Sequence, residues 1–81
     1  MAPDWLQPGV EVVYWEEGVD GYQNVHLTTI TKVDETLVWV EWDSAFVLVE
    51  TLTMPGTGPI PVIAHPNSPE GKAALKAGTA L

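Results

Sequence analysis

The chain has 81 residues, a length that predicts one small domain. Eleven acidic residues, three lysines and no arginine give a net charge of −8, which argues against direct binding to nucleic acid or to an anionic membrane, because both depend on Lys and Arg. The absence of cysteine excludes a disulfide framework, a thiolate metal site and a cysteine nucleophile.

The charge is unevenly distributed along the chain. Residues 1–50 hold ten acidic residues and one lysine, a net charge of −9, whereas residues 51–81 hold one acidic residue and two lysines, a net charge of +1. The acidity therefore belongs to the first half alone. No apolar run in the sequence reaches the roughly 20 residues that a membrane-spanning helix needs.

The first half of the chain predicts an antiparallel meander. Trp5 and Leu6 are expected to anchor the N-terminal segment in the core. Glycines and polar residues predict a loop over 16–24, and short polar breaks at 34–36 and 43–44 predict tight turns. Branched and aromatic residues predict four strands, over 10–15, 25–33, 37–42 and 45–52.

The second part of the chain begins with a run rich in proline and glycine, residues 54–61. Residues 60–64 predict a short fifth strand, which Pro61 confines to a sheet edge because proline cannot donate to the ladder. Ser68 is the predicted N-cap of a helix over 69–77 that ends just before a glycine. A helix this short is not stable alone, so it docks on its own sheet or on a partner.

Side-chain alternation assigns one face of each strand to the core. In the third strand the wholly apolar face is predicted to point inward: Val38, Val40 and Trp42. In the first strand the inward set is Val10, Val12 and Tyr14. The opposite faces each combine a glutamate with a tryptophan, Glu11 with Trp15 and Glu41 with Trp39.

The outward residues define a predicted partner-binding patch. Trp15 and Trp39 form an aromatic surface edged by Glu11 and Glu41, and Tyr22 in the predicted loop is a further candidate. Tryptophan is strongly enriched among the residues that dominate interface energies. The alternative is that the fifth strand or the terminal helix lies over the two rings, which would make them part of the core.

Few residues of the sequence point to catalysis. His26 and His65 are the two histidines, and Ser44 and Ser68 are explained by a turn and a helix cap. The acidic residues between positions 16 and 21 lack the spacing of an EF-hand calcium loop. We therefore expect a protein that is not an enzyme and that carries neither a cofactor nor a metal ion.

The strand patterns of residues 5–52 carry a resemblance to a known group of proteins. It rests on Pro8-Gly9-Val10, Val12-Val13, Thr28 to Val33, Val38-Trp39-Val40, Phe46 and Thr51-Leu52. The chain resembles small uncharacterised proteins of actinobacterial phages and their hosts, which are expected to form SH3-like barrels. Such relatives usually carry arginines near position 46 and a basic tail, and this chain has neither. The resemblance implies a fold but no activity.

The elements and the resemblance together predict an all-β fold, a small SH3-like five-stranded antiparallel barrel with a short C-terminal helix. The chain is expected to form a single domain. Residues 1–53 supply a core of four strands, and residues 54–81 supply a Pro/Gly-rich arm with the edge strand and the helix.

The sequence favours a non-enzymatic protein–protein interaction module. The first hypothesis is a phage structural or accessory protein, for capsid decoration or at the head–tail junction, whose partner is a virion subunit. The alternative is an early phage effector that binds and inhibits a host protein, with the acidic first half imitating DNA phosphates. These hypotheses place the protein in the virion or the host cytoplasm, with no direct contact to nucleic acid or membrane, and leave self-association open.

Overall fold

A computed structural model describes residues 4–18, 21–42, 46–49, 51–53 and 60–79. The elements are β1 (Glu11–Gly18), β2 (Gly21–Val33), β3 (Leu37–Val40), β4 (Phe46–Leu48), β5 (Ile60–Ala64) and α1 (Pro69–Thr79). The predictions for the turn at 43–44, for the strand positions 45 and 50, and for the Pro/Gly-rich run over 54–59 lie outside the described residues.

The strands form an antiparallel sheet in the order β4-β3-β2-β1-β5, which curls into a half-barrel. At the outer edge of β5, Val62 forms an isolated bridge with Thr53, and the Ile63 amide donates to the Leu52 carbonyl oxygen at 3.1 Å. These bonds connect β5 to the residues that follow β4. The predicted all-β class, with antiparallel strands and a short C-terminal helix, is confirmed.

The long loop predicted over 16–24 is wrong, because most of these residues belong to a hairpin. β1 continues to Gly18 and β2 starts at Gly21, where φ is +88°. The ladder runs through this segment, with Glu17 opposite Tyr22. Polar and glycine residues favour loops in general, but an exposed hairpin end also accommodates them. Tyr22 therefore lies on a strand and not in a loop.

A bulge interrupts the β1–β2 ladder at Asn24. Tyr14 pairs with His26 and Glu16 pairs with Gln23, so β2 uses one residue more than β1 across this step. Asn24 has φ +52°, a left-handed conformation that asparagine tolerates better than most residues. Its side-chain amide donates to Glu16 Oε1 at 2.8 Å. The extra residue shifts the alternation of side chains along β2 by one position. Side chains an odd number of positions apart across the bulge therefore point to the same side of the sheet.

The inner face of the curled sheet holds the larger of two buried clusters. Its members are Leu6, Val12, Tyr14, Ile30, Val38, Val40, Val47 and Ile63. Strand alternation had assigned Val12, Tyr14, Val38 and Val40 to this face, and these predictions are confirmed. Leu6 also anchors the N-terminal segment as predicted, and Trp5 and Val10 pack against the cluster.

Trp42 is not part of this core, and its predicted inward position is wrong. β3 ends at Val40, two residues earlier than expected, and strand alternation no longer applies beyond that point. The Trp42 side chain is 45% exposed. Its ring instead packs against that of His26 in an edge-to-face arrangement, with the ring centroids 4.0 Å apart.

The second buried cluster lies between the outer face of the sheet and α1. It consists of Val13, Trp15, Ala64 and Ala74, with Val25, Val62 and Leu75 packed against it. Trp15 is 3% exposed, so its predicted outward exposure is wrong. The alternative interpretation is confirmed for this ring, because β5 and α1 cover it. The helix also docks on its own sheet, which is one of the two options that the sequence left open.

The start of α1 is set by Ser68, as predicted. Ser68 Oγ accepts a hydrogen bond from the Gly71 amide at 3.0 Å and donates to the His65 carbonyl oxygen at 2.7 Å. The predicted end before Gly78 is wrong, because the helix continues through Gly78 to Thr79. A Cβ atom on Gly78 would lie 2.8 Å from Cβ of Val25. The glycine therefore permits close packing of α1 on β2 and does not end the helix.

The fourth strand is shorter than the predicted 45–52. β4 covers Phe46–Leu48 and pairs with β3, and the Val49 amide still donates to the Thr36 carbonyl oxygen at 2.9 Å. Leu52 then adopts φ +59°, which a regular strand does not allow. The chain turns here and brings Leu52 and Thr53 to the edge of β5.

Candidate functional site

The structure separates the five predicted site residues. Trp15 lies in the cluster under α1, whereas Glu11, Glu41 and Tyr22 are exposed and Trp39 is half-buried. The single aromatic patch predicted for Trp15 and Trp39 therefore does not exist. The structure instead has two separate candidate sites, a surface around Trp39 and a cleft that is lined in part by Trp15.

The backbones of the two predicted glutamates flank the same residue of β2. Glu11 of β1 lies directly opposite Thr29 of β2, and the Glu41 amide donates to the Thr29 carbonyl oxygen at 2.9 Å. Thr29 thus lies between Glu11 and Glu41 across three neighbouring segments. Directly opposed residues point to the same side of a sheet, so Glu11 and Thr29 share the outer face.

Trp39 extends this outer face along β3. Lys32 Nζ lies 4.8 Å from the centroid of the Trp39 ring, a cation–π geometry. Thr31 Oγ1 donates to the Trp39 carbonyl oxygen at 3.3 Å. Thr31, Lys32, Trp39, Val40 and Glu41 line a shallow depression of about 500 Å³. We call Glu11, Thr29, Lys32, Trp39 and Glu41 the Trp39 surface.

A second concave site lies where the N-terminal segment, β5 and the start of α1 meet. This cleft has a volume of about 460 Å³. Its lining residues are Trp5, Trp15, Glu17, Thr51, Leu52, Val62, Ile63, Ala64, His65, Ser68 and Glu70. We call it the Trp5 cleft. Pockets of roughly 300–1,000 Å³ are of the size that binds small ligands.

The walls of the Trp5 cleft combine aromatic rings with carboxylates. The ring centroids of Trp5 and His65 are 5.6 Å apart. The backbone amide of Asn67 donates to His65 Nδ1 at 3.1 Å, and this bond holds the imidazole in place. Trp15 Nε1 donates to Glu17 Oε1 at 3.3 Å. Glu70, in the first turn of α1, supplies the other carboxylate.

Tyr22 stands beside this cleft and not beside Trp39. It pairs with Glu17 across the hairpin, and its ring centroid is 5.7 Å from that of Trp15. The Asn24 bulge explains the position, because it brings Tyr22 to the side of the sheet that carries Trp15. The exposed Tyr22 ring therefore widens the aromatic surface at the Glu17 end of the cleft.

Sequence reasoning missed the Trp5 cleft. Trp5 and His65 are 60 positions apart, and no local pattern indicates that they meet. Trp5 was predicted only as an anchor of the N-terminal segment. The one available signal was the helix cap at Ser68, which fixes Glu70 near the end of β5.

His26 has an unusual environment at the end of the inner core. Its ring lies between those of Tyr14, at 5.3 Å, and Trp42, at 4.0 Å. Its Nε2 atom is buried without a hydrogen-bond partner in the part of the chain that the structure describes. The described contacts of His26 are thus aromatic, and they place neither a serine nor a carboxylate beside it.

The described ranges show neither a metal-binding cluster nor a membrane-spanning helix. They contain no group of three or more His, Asp or Glu side chains close enough to hold a metal ion. No helix within them has the length and apolar character needed to cross a bilayer. None of their polar or charged residues is fully buried.

Comparisons with known proteins found no relative. No protein-family model matches the chain, no curated protein matches it, and no solved structure is similar to it.

Proposed function

We propose that this chain is a non-enzymatic module that acts by binding another protein through the Trp39 surface. The observation that supports the proposal is the position of Trp39, a half-buried ring that lines an open depression next to Glu41 on the outer face of the sheet. Partly exposed tryptophans beside polar rims are typical of interface hot spots.

The charge of the chain indicates the chemistry of the partner. The net charge is −8, and Glu11 and Glu41 are both exposed, with Glu41 lining the depression beside Trp39. A basic patch on the partner would be attracted from a distance and oriented on contact, because complementary charges raise association rates. Lys32 is the single lysine on this surface and opposes that attraction.

The proposed fold is an SH3-like barrel of five strands. The support is the curled antiparallel sheet, together with the bridge between Thr53 and Val62 that joins β5 to the residues after β4. A small barrel presents its outer face to partners on a rigid scaffold. The Trp39 surface lies on such a face.

The biological role that we propose is that of a phage structural or accessory protein, in capsid decoration or at the head–tail junction, which binds a virion subunit. The support is the resemblance of residues 5–52 to small phage proteins. Residues 60–79 pack on the chain's own sheet, so they do not supply an extended arm for contacts with neighbouring subunits.

The acidic outer face supports a second candidate, an early effector that binds a basic host protein. Exposed carboxylates such as Glu11 and Glu41 would occupy a groove that normally holds DNA phosphates. The two candidates differ in location, which is the virion for the first and the host cytoplasm for the second.

The test is capture of partners from a lysate of the native source by the tagged wild-type chain, by Trp39→Ala and by the control Glu35→Gln. Glu35 is exposed in the turn before β3 and lies outside both candidate sites. We expect one dominant partner that Trp39→Ala loses and Glu35→Gln retains. A virion subunit would support the structural role, and a basic host protein the effector role. A partner that Trp39→Ala retains would contradict the Trp39 surface.

A further inference from the structure

We propose that the Trp5 cleft receives one cationic side chain, a lysine or an arginine, from the partner protein. This inference rests on the proposed function, because it assigns the cation to a segment of that partner. It adds a second contact, at the junction of the N-terminal segment, β5 and the start of α1, which is separate from the Trp39 surface.

The shape and lining of the cleft suit a long side chain with a charged end. The half-buried side chains of Leu52 and Val62 offer apolar contacts for an aliphatic stem, and lysine and arginine bury such stems while their charged ends remain near water. Trp5 lies at the cleft with its ring against His65. Tryptophan is the aromatic residue that attracts cations most strongly.

The charges around the cleft select the sign of the ligand. Glu17 and Glu70 are both exposed and both line the cleft. No lysine is among the described lining residues. A cation in the cleft would be attracted by the carboxylates and by the Trp5 indole that line it, whereas an anion would be repelled by both carboxylates.

The N-terminus of α1 favours an anion, but it does not outweigh the two carboxylates. A helix N-terminus carries about half a positive charge, which is less than the two full negative charges of Glu17 and Glu70. Ser68 also satisfies amides of the first turn, because its Oγ accepts from Gly71 and its carbonyl oxygen accepts from Lys72. Few helix amides therefore remain for an anion.

The hydrogen bond between Trp15 and Glu17 fixes one of the carboxylates. Trp15 Nε1 donates to Glu17 Oε1 at 3.3 Å, and the Trp15 ring is held by the cluster under α1. A carboxylate oriented in this way loses less conformational freedom when a cation binds. The substitution Glu17→Gln keeps an oxygen that accepts this bond and removes only the charge.

The experiment is a titration of the isotope-labelled chain with short peptides, followed through the indole N–H resonances in a proton–nitrogen correlation spectrum. The chain has four tryptophans, of which Trp5 and Trp15 line the cleft, whereas Trp39 and Trp42 do not. The probes are glycine–alanine peptides with one central arginine or lysine. The matched uncharged probe carries citrulline at that position.

We expect the arginine and lysine peptides to shift the Trp5 and Trp15 resonances, and the citrulline peptide to leave them unchanged. Glu17→Gln and Glu70→Gln should each weaken binding about three- to tenfold, and Glu35→Gln should not. Unfolding curves for each variant show whether it is folded.

Two results would overturn the inference. The first is that neither cationic peptide moves the Trp5 and Trp15 resonances. The second is that both carboxylate variants bind with wild-type affinity. A shift of Trp39 alone would overturn the Trp5 cleft and leave the proposed function in place, whereas loss of partner capture in Trp39→Ala tests that function separately.

Discussion

The indole of Trp15 donates a hydrogen bond to the carboxylate of Glu17 at 3.3 Å, and this bond joins the buried cluster under α1 to an exposed acidic group. The two residues lie on the same side of β1, two positions apart. Packing of α1 therefore positions a residue of the Trp5 cleft. Changes in the cluster should affect the fold first and the cleft second.

The two tryptophans that the sequence grouped together should differ in their contribution to stability. Trp15→Ala removes a ring that is 3% exposed, and we expect a loss of about 3–5 kcal/mol in the free energy of unfolding. Trp39 is half-buried, so Trp39→Ala should cost about 1–2 kcal/mol. Urea unfolding of both variants measures the difference. Equal losses would contradict the assignment of Trp15 to the core and Trp39 to the surface.

Gly78→Ala should destabilise the protein, although alanine is the better helix former. Helix propensity alone predicts a gain of about 1 kcal/mol, but the added Cβ would lie 2.8 Å from Cβ of Val25. Overpacking of this kind costs about 1–3 kcal/mol. Thermal and urea unfolding provide the measurement.

The control for Gly78 is Ala73→Gly on the exposed side of α1. It should lower stability by about 1 kcal/mol through propensity alone. A Gly78→Ala variant more stable than wild type would show that α1 does not approach β2 as closely as described.

Substitutions of Asn24 by glycine and by alanine should differ in their effect on stability. Asn24 has φ +52° and donates to Glu16 at 2.8 Å. Both substitutions lose the hydrogen bond, but alanine also carries the steric penalty of the left-handed region, about 1–2 kcal/mol. Asn24→Ala should therefore unfold at lower urea concentration than Asn24→Gly. The reverse order would argue against the bulge.

Lys32 should weaken the attraction of the Trp39 surface for a basic partner. Its Nζ lies 4.8 Å from the Trp39 ring, so a partner cation must compete with it for the same π-face. Lys32→Gln should tighten binding of the captured partner, most clearly at low ionic strength. Surface plasmon resonance checks this, and weaker binding by Lys32→Gln would indicate an acidic partner instead.

Strand alternation predicted the inner core well, because Val12, Val38 and Val40 lie in regular strand and alternation is a local property. It failed for Trp42, since β3 ends at Val40 and nothing in the sequence marks that end. It also failed for the exposure of Trp15, because the cover comes from β5 and α1, about 50 residues further along the chain.

The candidate site was predictable only where it follows one sheet face. The proximity of Glu11 and Glu41 follows from strand pairing, which the meander suggested. The Trp5 cleft was not predictable, because it is formed by three segments that are distant in sequence. Tyr22 was placed in a loop, since the Asn24 bulge has no sequence signature that separates it from a turn.

The most direct test of the account is the affinity of the captured partner for wild type, Glu11→Gln, Glu41→Gln and the control Glu35→Gln, measured at low and at physiological salt. We expect the dissociation constant to rise with salt and in both Trp39-surface variants, about two- to fivefold in each, while Glu35→Gln stays at the wild-type value. An affinity that is indifferent to salt and the same in all four proteins would contradict a basic partner bound at the Trp39 surface.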